Sequence, residues 1–520
     1  MAWLRSGLQI VCATIISRIF GLFRELFIAS TLGTGLQSDY INLAFRLPNL
    51  FRKIFAEGAL SNVFIPIFSS LTEESQTKAK SFFITTLILL CLALCILVCI
   101  MEVFMPEIIL LIAPGFNLSS NNEVVLLCRI TLPYLLFIAI IALINCVLNV
   151  YNRFFAFAIS PAILSVMIMI IPSIAPNNEL ILQALAWAMP IAGAVQLFVI
   201  YLSYTRTPLY RVQWQLSAHS AQMMQFLQKM LPASTNAAST QLHLFLSQSL
   251  ASFIIGGISV LSYADRIYQF PFSIIGGTLG TLALPILSKL RAQNMLSSME
   301  LTSRKLIKLC IFLALPASFG IIATVQRIVC VVYERGMFTA LDTQRVSKVV
   351  VCFALGLPAF ILTRMYNNIF YARQNISAPF KITLCSLAVN LLFSVCCLNY
   401  LQELSIALGT ALGGWLQLAL LLYCKKKEDV TILLNPTVRQ TSSSSMLNFA
   451  LHTLAASAIM YLALITFNFY TQECFEAQIV LYKTIIVVAQ IAFGIGVFVL
   501  CSLLNSQFFE IKNIIQHQKK

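Results

Sequence analysis

Long apolar runs, parted by short polar turns, follow one another along almost the whole chain. A helix needs about 18 apolar residues or more to cross a bilayer, and these runs reach that length. The pattern predicts spans at residues 8–30, 36–56, 82–112, 124–149, 156–175, 180–203, 231–257, 266–288, 306–325, 347–370, 381–398, 404–423, 446–469 and 480–503. This is an all-α polytopic membrane protein of about 14 transmembrane helices. The spans group as an N-terminal six-helix lobe (1–203), a cytoplasmic linker (204–230) and a C-terminal six-helix lobe (231–423). A second cytoplasmic linker (424–445), two additional transmembrane helices (446–503) and a cytoplasmic tail (504–520) follow. The first linker is predicted to form an amphipathic helix on the inner surface, and the second ends in a flexible serine run.

One region breaks the apolar pattern. Between residues 15 and 70, Arg18, Arg24 and Glu25 sit within one run, and Asp39, Arg46, Arg52, Lys53 and Glu57 sit in or beside the next. A charge in hydrocarbon costs several kcal/mol unless it faces the protein interior or water. Asp39, Asn42, Arg46, Asn49 and Lys53 recur at steps of 3, 4, 3 and 4, which makes one polar stripe on a helix. A cavity lining and an amphipathic helix at the membrane surface both satisfy this pattern.

Composition agrees with the span pattern. Charged residues make up 10% of the chain, against about 25% in an ordinary soluble domain. The net charge of +15 would suggest nucleic acid in a soluble chain, but here the cations belong to loops and polar helices, so no nucleic-acid partner is expected. With both termini cytoplasmic, Lys78, Lys80, Arg153, Arg206, Arg211, Lys289, Arg373 and Lys425 to Lys427 lie inside. The turns near 31–36, 113–123, 175–179, 258–264, 399–403 and 471–478 hold no Lys or Arg, as the positive-inside rule requires. The turn around 326–346 is mixed, with Arg327, Arg335 and Arg345. Cysteines such as Cys91, Cys95, Cys99, Cys396 and Cys397 read as small buried hydrophobes, and no metal-site spacing appears. Arg18 and Arg24 interrupt the first apolar run, which argues against a cleaved signal.

A weak repeat relates the two halves. Pro66, Gly115, the LPYLL around Pro133 and the YNR before Pro161 recur as Pro285, Gly336, the LPAFI around Pro358 and the YAR before Pro379. Six spans per copy, an even number, give parallel repeats of the kind found in transporters.

The second lobe carries the polar theme again. Asp265 and Arg266 open its second span, and Arg266, Gln269, Ser273 and Gly280 share a face that Pro271 can kink. Asn145, Asn149 and Asn152 make an amide stripe toward Arg153, and Arg364, Asn367 or Asn368, and Tyr371 step similarly. Amides of this kind either glue helices or line a wet path, and both readings stay open. Arg364 is sharper, because a guanidinium stays charged and needs an anion or water. Arginine exceeds acid in these helices, which suits a substrate bearing phosphate. No Walker motif, His/Cys cluster or nucleophile–base pair appears, so a transporter is expected rather than an enzyme.

SRIFGLFRELFIA from Ser17 and SDYINLAFRLPNLFRKIFAEGALSNVFIPIF from Ser38 resemble the opening signature of the MurJ/MviN family of bacterial lipid II flippases. APGF at Ala113, LPY…N.YNRF…P from Leu132, YADRIYQFP from Tyr263, YERGMFTA.D from Tyr333 and FYARQ at Phe370 extend the similarity through the twelfth span. The resemblance implies the multidrug/oligosaccharidyl-lipid/polysaccharide exporter fold and alternating access. It also implies a cargo, undecaprenyl-pyrophosphate-linked disaccharide-pentapeptide (lipid II), moved from the inner to the outer leaflet of the bacterial inner membrane.

The family's cavity charges map to Arg18, Arg24, Asp39, Arg52 and Arg266, with Asp265 beside the last. On this reading Arg18, Arg24, Arg266 and Arg364 bind the pyrophosphate. Asp39, Arg52, Asp265 and Glu57 gate or pair charges, and Asn42, Arg46, Asn49, Asn145, Asn149 and Gln269 line the polar path. Gln269 stands where many relatives carry Glu, Arg364 where lysine is common, and Glu25 where Asp often follows the arginine. No cofactor or metal is expected, and coupling to the membrane potential, Na⁺ or H⁺ stays open. Membrane lipids and proteins of cell-wall synthesis and division are the expected further partners. A same-fold exporter of another prenyl-linked glycan or amphipathic compound and a non-transporting scaffold for cell-wall synthesis are the alternatives.

Overall fold

The computed structural model describes residues 2–53, 60–116, 122–175, 180–213, 220–432, 443–476 and 479–504. Among these residues there are helices and turns and no strand. The helices are α1 (Ala2–Leu32), α2 (Leu36–Phe51), α3 (Leu60–Glu74), α4 (Gln76–Val103), α5 (Met105–Ile112), α6 (Glu123–Thr131) and α7 (Tyr134–Val150). Next come α8 (Phe155–Ser173), α9 (Ile181–Thr205), α10 (Pro208–Arg211), α11 (Ser220–Ala251), α12 (Gly257–Phe272) and α13 (Thr278–Ala292). The chain continues with α14 (Leu296–Tyr333), α15 (Ala340–Ala372), α16 (Ser377–Leu401), α17 (Glu403–Ile432), α18 (Ser443–Tyr470), α19 (Gln472–Glu476) and α20 (Val480–Leu504). Eleven described stretches are long and apolar enough to cross a membrane. The expected spans at 8–30, 36–56 and 231–257 fall on α1, α2 and α11, none of which is among these eleven.

Local chemistry explains where helices depart from the apolar runs. The 82–112 run bends at Phe104 between α4 and α5, because Pro106 has no N–H and its ring meets the carbonyl four residues back. That carbonyl, on Glu102, accepts instead from Arg129 Nε at 3.2 Å. The expected turn at 258–264 lies earlier, since α12 already starts at Gly257. The 326–346 turn is shorter than expected. α14 runs to Tyr333, and α15 starts behind a reciprocal cap in which the Thr339 N–H donates to Asp342 Oδ2 at 2.8 Å. Within 204–230 lie α10 and the start of α11, which begins at Ser220 and runs unbroken to Ala251.

The chain divides into two compact units, Met1–Ser259 and Val260–Lys520. In the first, α1 packs along α8, α8 and α7 pack on α9, and α11 packs on α3 and α5. Phe64 stacks on Phe68 and Phe82 at centroid separations of 5.2 and 5.3 Å, and Phe226 of α11 meets both Phe64 and Phe82 edge-on. In the second unit, α16 and α17 approach closely through Gly409 and Gly413, a small-xxx-small pair. A Cβ at Gly409 would lie 2.4 Å from Ser394 Oγ, and Ser386 Oγ donates to Gly413 O at 2.7 Å. α18 and α20 close on α14 around Phe312 and Phe498, 5.1 Å apart.

Two expectations need correction. Cys95, Cys99 and Cys396 are exposed, and Cys91 and Cys397 are half-buried; the thiols that are fully buried are Cys128, Cys146, Cys310 and Cys352. A weakly polar thiol on a spanning helix can face lipid as readily as protein, so an apolar setting does not separate the two. Arg327, assigned to a turn, lies inside α14. It donates to Thr471 Oγ1 at 2.7 Å and Asn468 O at 2.8 Å, with its guanidinium 4.8 Å from the Phe475 ring. It ties α14 to the end of α18.

Candidate functional site

Asp39, in the first turn of α2, has no solvent exposure. Its Oδ2 accepts the N–H of Gly256 and its Oδ1 the N–H of Ser259, both at 2.7 Å. These are orphan donors at the start of α12, so the carboxylate caps that helix and meets the positive end of its dipole. Gly256 makes the turn with φ 77°, a conformation that glycine adopts without strain. The surroundings are equally fixed. The Gly115 N–H donates to Ser252 Oγ at 2.9 Å, Ser249 Oγ donates to Ile112 O at 2.7 Å, and Phe116 meets Tyr40 edge-on at 5.1 Å. A Cβ at Gly115 would lie 2.4 Å from the backbone of Ser252 and Phe253, which is why the APGF string needs glycine there.

Further along α2 the polar stripe divides. Asn42 Nδ2 donates to Ser38 O and Asn49 Nδ2 to Phe45 O, both at 2.8 Å, so these amides partly serve their own helix. Arg46, Asn49 and Lys53 line one narrow cavity of about 50 Å³ together with Gln241, Phe245 and Gln248 of α11. Gln241, Phe245 and Gln248 step by 4 and 3, the same helical spacing as α2 presents, and sequence reasoning overlooked them. Gln248 Nε2 is buried without a hydrogen bond. A cavity of this size holds water and reaches into the polar stripe; it does not hold a sugar.

Arg18 is exposed on α1, and Arg24 is half-buried. Arg24 Nη2 donates to Glu25 Oε1 at 2.6 Å, while its Nε is buried and makes no hydrogen bond. Arg52 and Asn149 are half-buried; so is Asn145, whose Oδ1 is buried without a partner. Glu57 lies outside the described residues. Just beyond α7, Tyr151 donates to Gln76 Oε1 at 2.7 Å; burial pushes its phenol up, with that bond opposing.

In the second unit Gln269 donates through Nε2 to Asp265 Oδ2, one turn apart on α12. The Gln269 amide therefore holds the neighbouring carboxylate by a hydrogen bond. Asp265 is half-buried, and Arg266 and Gln269 are exposed. After Pro271 the helix widens through a π-helical segment, Ser273–Gly277, before α13. At Gly280 α13 lies against α15: Asn368 Nδ2 donates to Gly280 O at 2.7 Å, and Arg364 Nε would stand 2.7 Å from any Cβ at 280. Arg364 is exposed, with its guanidinium 6.0 Å from the Phe272 ring. Glu300, which the sequence pattern does not single out, collects Lys425 at 3.0 Å, Arg304 at 3.1 Å and Arg373 at 3.7 Å.

These features are a buried acid at a helix end, arginines on long helices and buried amides that lack a partner. Among the described residues no group of His, Cys, Asp and Glu could hold a metal ion. The sequence matches the family described as "Lipid II flippase MurJ" over residues 28–484. The chain belongs to the MurJ family. It is 38% identical to a probable lipid II flippase MurJ of Rickettsia prowazekii over 503 residues, 96% of this chain and 97% of that one. A probable lipid II flippase MurJ of Rhizobium tropici is 33% identical over 80% of this chain and 79% of its own length. Among solved structures, a lipid II flippase MurJ in an inward closed conformation superposes with a TM-score of 0.77 at 24% identity, covering 96% of this chain and 99% of that one. An inward-facing multidrug resistance MATE family transporter of the MOP superfamily shares the fold, with a TM-score of 0.63 at 14% identity, over 83% of this chain and 99% of its own. As a MurJ family member the chain is a multi-pass transporter of the inner membrane and not an enzyme, and its work is the passage of a lipid-linked substrate.

Proposed function

We propose that this MurJ family chain flips lipid II, the undecaprenyl-pyrophosphate-linked disaccharide-pentapeptide, from the inner to the outer leaflet by alternating access. Support for the cargo comes from the named function of its relatives and from the excess of arginine on its polar helices. Arg24 carries the reading furthest. Its guanidinium is half-buried and paired on one edge with Glu25, and its Nε is buried on α1 without a hydrogen bond. A phosphate oxygen is the ligand such a donor matches.

Arg18 and Arg24 in the first unit, and Arg266 and Arg364 in the second, contact the pyrophosphate during the cycle. The head group moves along polar side chains while the prenyl chain stays in lipid, which avoids burying sugars and peptide in hydrocarbon. Asp39 holds the start of α12 when the substrate path is closed on its side, and Asp265 orients Arg266. Arg52 and Glu57 take part in closure, and the amides of α2 and α7 line the path. A membrane potential positive outside favours outward movement of an anionic cargo, at about 2.3 kcal/mol per charge per 100 mV.

The test is outer-leaflet exposure of lipid II in cells that carry this chain as sole flippase, with Arg18→Ala, Arg24→Ala and Arg266→Ala at matched membrane abundance. Wild-type exposure with loss in the variants supports the reading. Normal exposure in all three variants rejects the arginine mechanism, and no exposure with the wild type rejects the cargo.

A further inference from the structure

A cavity larger than the one on the α2 stripe opens elsewhere in the first unit. It lies where α7 turns into α8, beside the end of α9, with a volume of about 610 Å³. Its polar wall is Asn152, Arg153, Ser203 and Arg206, and its apolar wall includes Phe155 and Leu202. Neither guanidinium has a hydrogen bond or ion pair among the described residues, although both belong to one pocket. Both arginines are exposed and solvated, and two cations on one pocket wall offer an anion a pair of matched donors.

The turn that presents Arg153 is fixed. Asn152 takes a left-handed conformation (φ 56°), its N–H donates to Asn149 O at 3.1 Å, and the Arg153 N–H donates to Leu148 O at 2.9 Å. Asparagine tolerates that conformation better than most residues. The pocket is therefore preformed, and its volume falls in the range of about 300–1,000 Å³ usual for small-molecule sites.

Its position selects the ligand. α7, α8 and α9 are spanning helices, and the arginines stand just past their ends, at the level where head groups lie. Phe155 and Leu202 are exposed, and the apolar surface continues along α9 through Phe198 and Tyr201. A ligand that fits has a phosphate for two arginines and a hydrocarbon chain for the adjoining helix face.

We infer that this pocket seats the phosphate headgroup of an anionic glycerophospholipid from the surrounding bilayer, with an acyl chain laid along α9. The site shares no residue with the proposed cargo path and does not depend on the cargo's identity. By its arginines it lies on the side that the charge asymmetry assigns to the cytoplasm.

Native mass spectrometry of the full chain in detergent, with dioleoyl phosphatidylglycerol or dioleoyl phosphatidylcholine at equal concentration, tests the inference. The wild type should hold its first phosphatidylglycerol at least about five-fold more tightly than phosphatidylcholine. An Arg153→Gln/Arg206→Gln variant should lose that preference, while Arg153→Lys/Arg206→Lys should keep part of it and Lys289→Gln all of it. Equal binding of both lipids by the wild type, or an unchanged preference in the glutamine variant, overturns the inference. Displacement of phosphatidylglycerol by undecaprenyl pyrophosphate, in the wild type and not in the glutamine variant, also overturns it, by giving the pocket to the prenyl pyrophosphate.

Discussion

Asp39 caps a helix that begins 218 residues further along the chain, accepting the Ser259 N–H at 2.7 Å through one oxygen and the Gly256 N–H at 2.7 Å through the other. A buried carboxylate that serves two backbone donors has a structural duty besides any part in transport. Asp39→Asn keeps the shape but turns an amide N–H₂ toward one of the donors, leaving a bond unmade. The variant should lose about 1–2 kcal/mol of stability, read as a lower unfolding midpoint in detergent with a thiol-reactive dye. An unchanged midpoint would show that the cap contributes nothing.

Gly115→Ala should destabilise the same region by about 1–3 kcal/mol through overpacking, because the new methyl would lie 2.4 Å from backbone atoms that cannot swing away. Gly21→Ala is the matched control, since nothing lies within 4 Å of its added Cβ. Equal melting of the two variants would contradict the close approach.

Gly280→Ala meets a movable neighbour. The added methyl strikes Arg364 Nε at 2.7 Å, and that side chain can shift where backbone could not. Transport should therefore fall while the unfolding midpoint changes by less than about 1 kcal/mol. Gly277→Ala, with nothing within 4 Å of its Cβ, should leave transport intact. Normal transport by Gly280→Ala would separate the place of Arg364 from function.

Glu300→Gln removes the anion shared by Lys425, Arg304 and Arg373. Arg304 of α14, Arg373 just past α15 and Lys425 of α17 would then lose the anion they share, at a cost on the order of 1–3 kcal/mol in this partly buried setting. The unfolding midpoint should fall at low salt and recover in part at high salt, where repulsion is screened. A salt-independent midpoint equal to wild type would mean that the cluster is incidental.

Much of this fold is written in local sequence, and the site is not. Apolar length predicts most of the long helices, because a backbone in hydrocarbon must satisfy itself, while α3 at Leu60–Glu74 falls between the expected spans. Pro106, Pro133 and Pro271 mark breaks that local chemistry explains. The duty of Asp39 is invisible in its own neighbourhood, where it reads as one charge in a polar stripe; its partners stand 217 and 220 residues away. Gln241 and Gln248 could have been found, since their spacing repeats the α2 pattern, but residues 230–251 around them hold no Asp, Glu, Lys or Arg to draw attention. Exposure of Cys95, Cys99 and Cys396 was illegible for another reason: lipid and protein interior select the same side chains.

The most direct measurement is lipid II exposure at the outer leaflet in cells relying on this chain, with Arg24→Ala and Arg24→Lys beside the wild type at equal abundance. The account predicts exposure with the wild type, loss of at least about ten-fold with alanine, and partial retention with lysine, which keeps the charge but not the planar fork. Alanine exposing lipid II as well as the wild type would contradict the claim that this guanidinium handles the pyrophosphate.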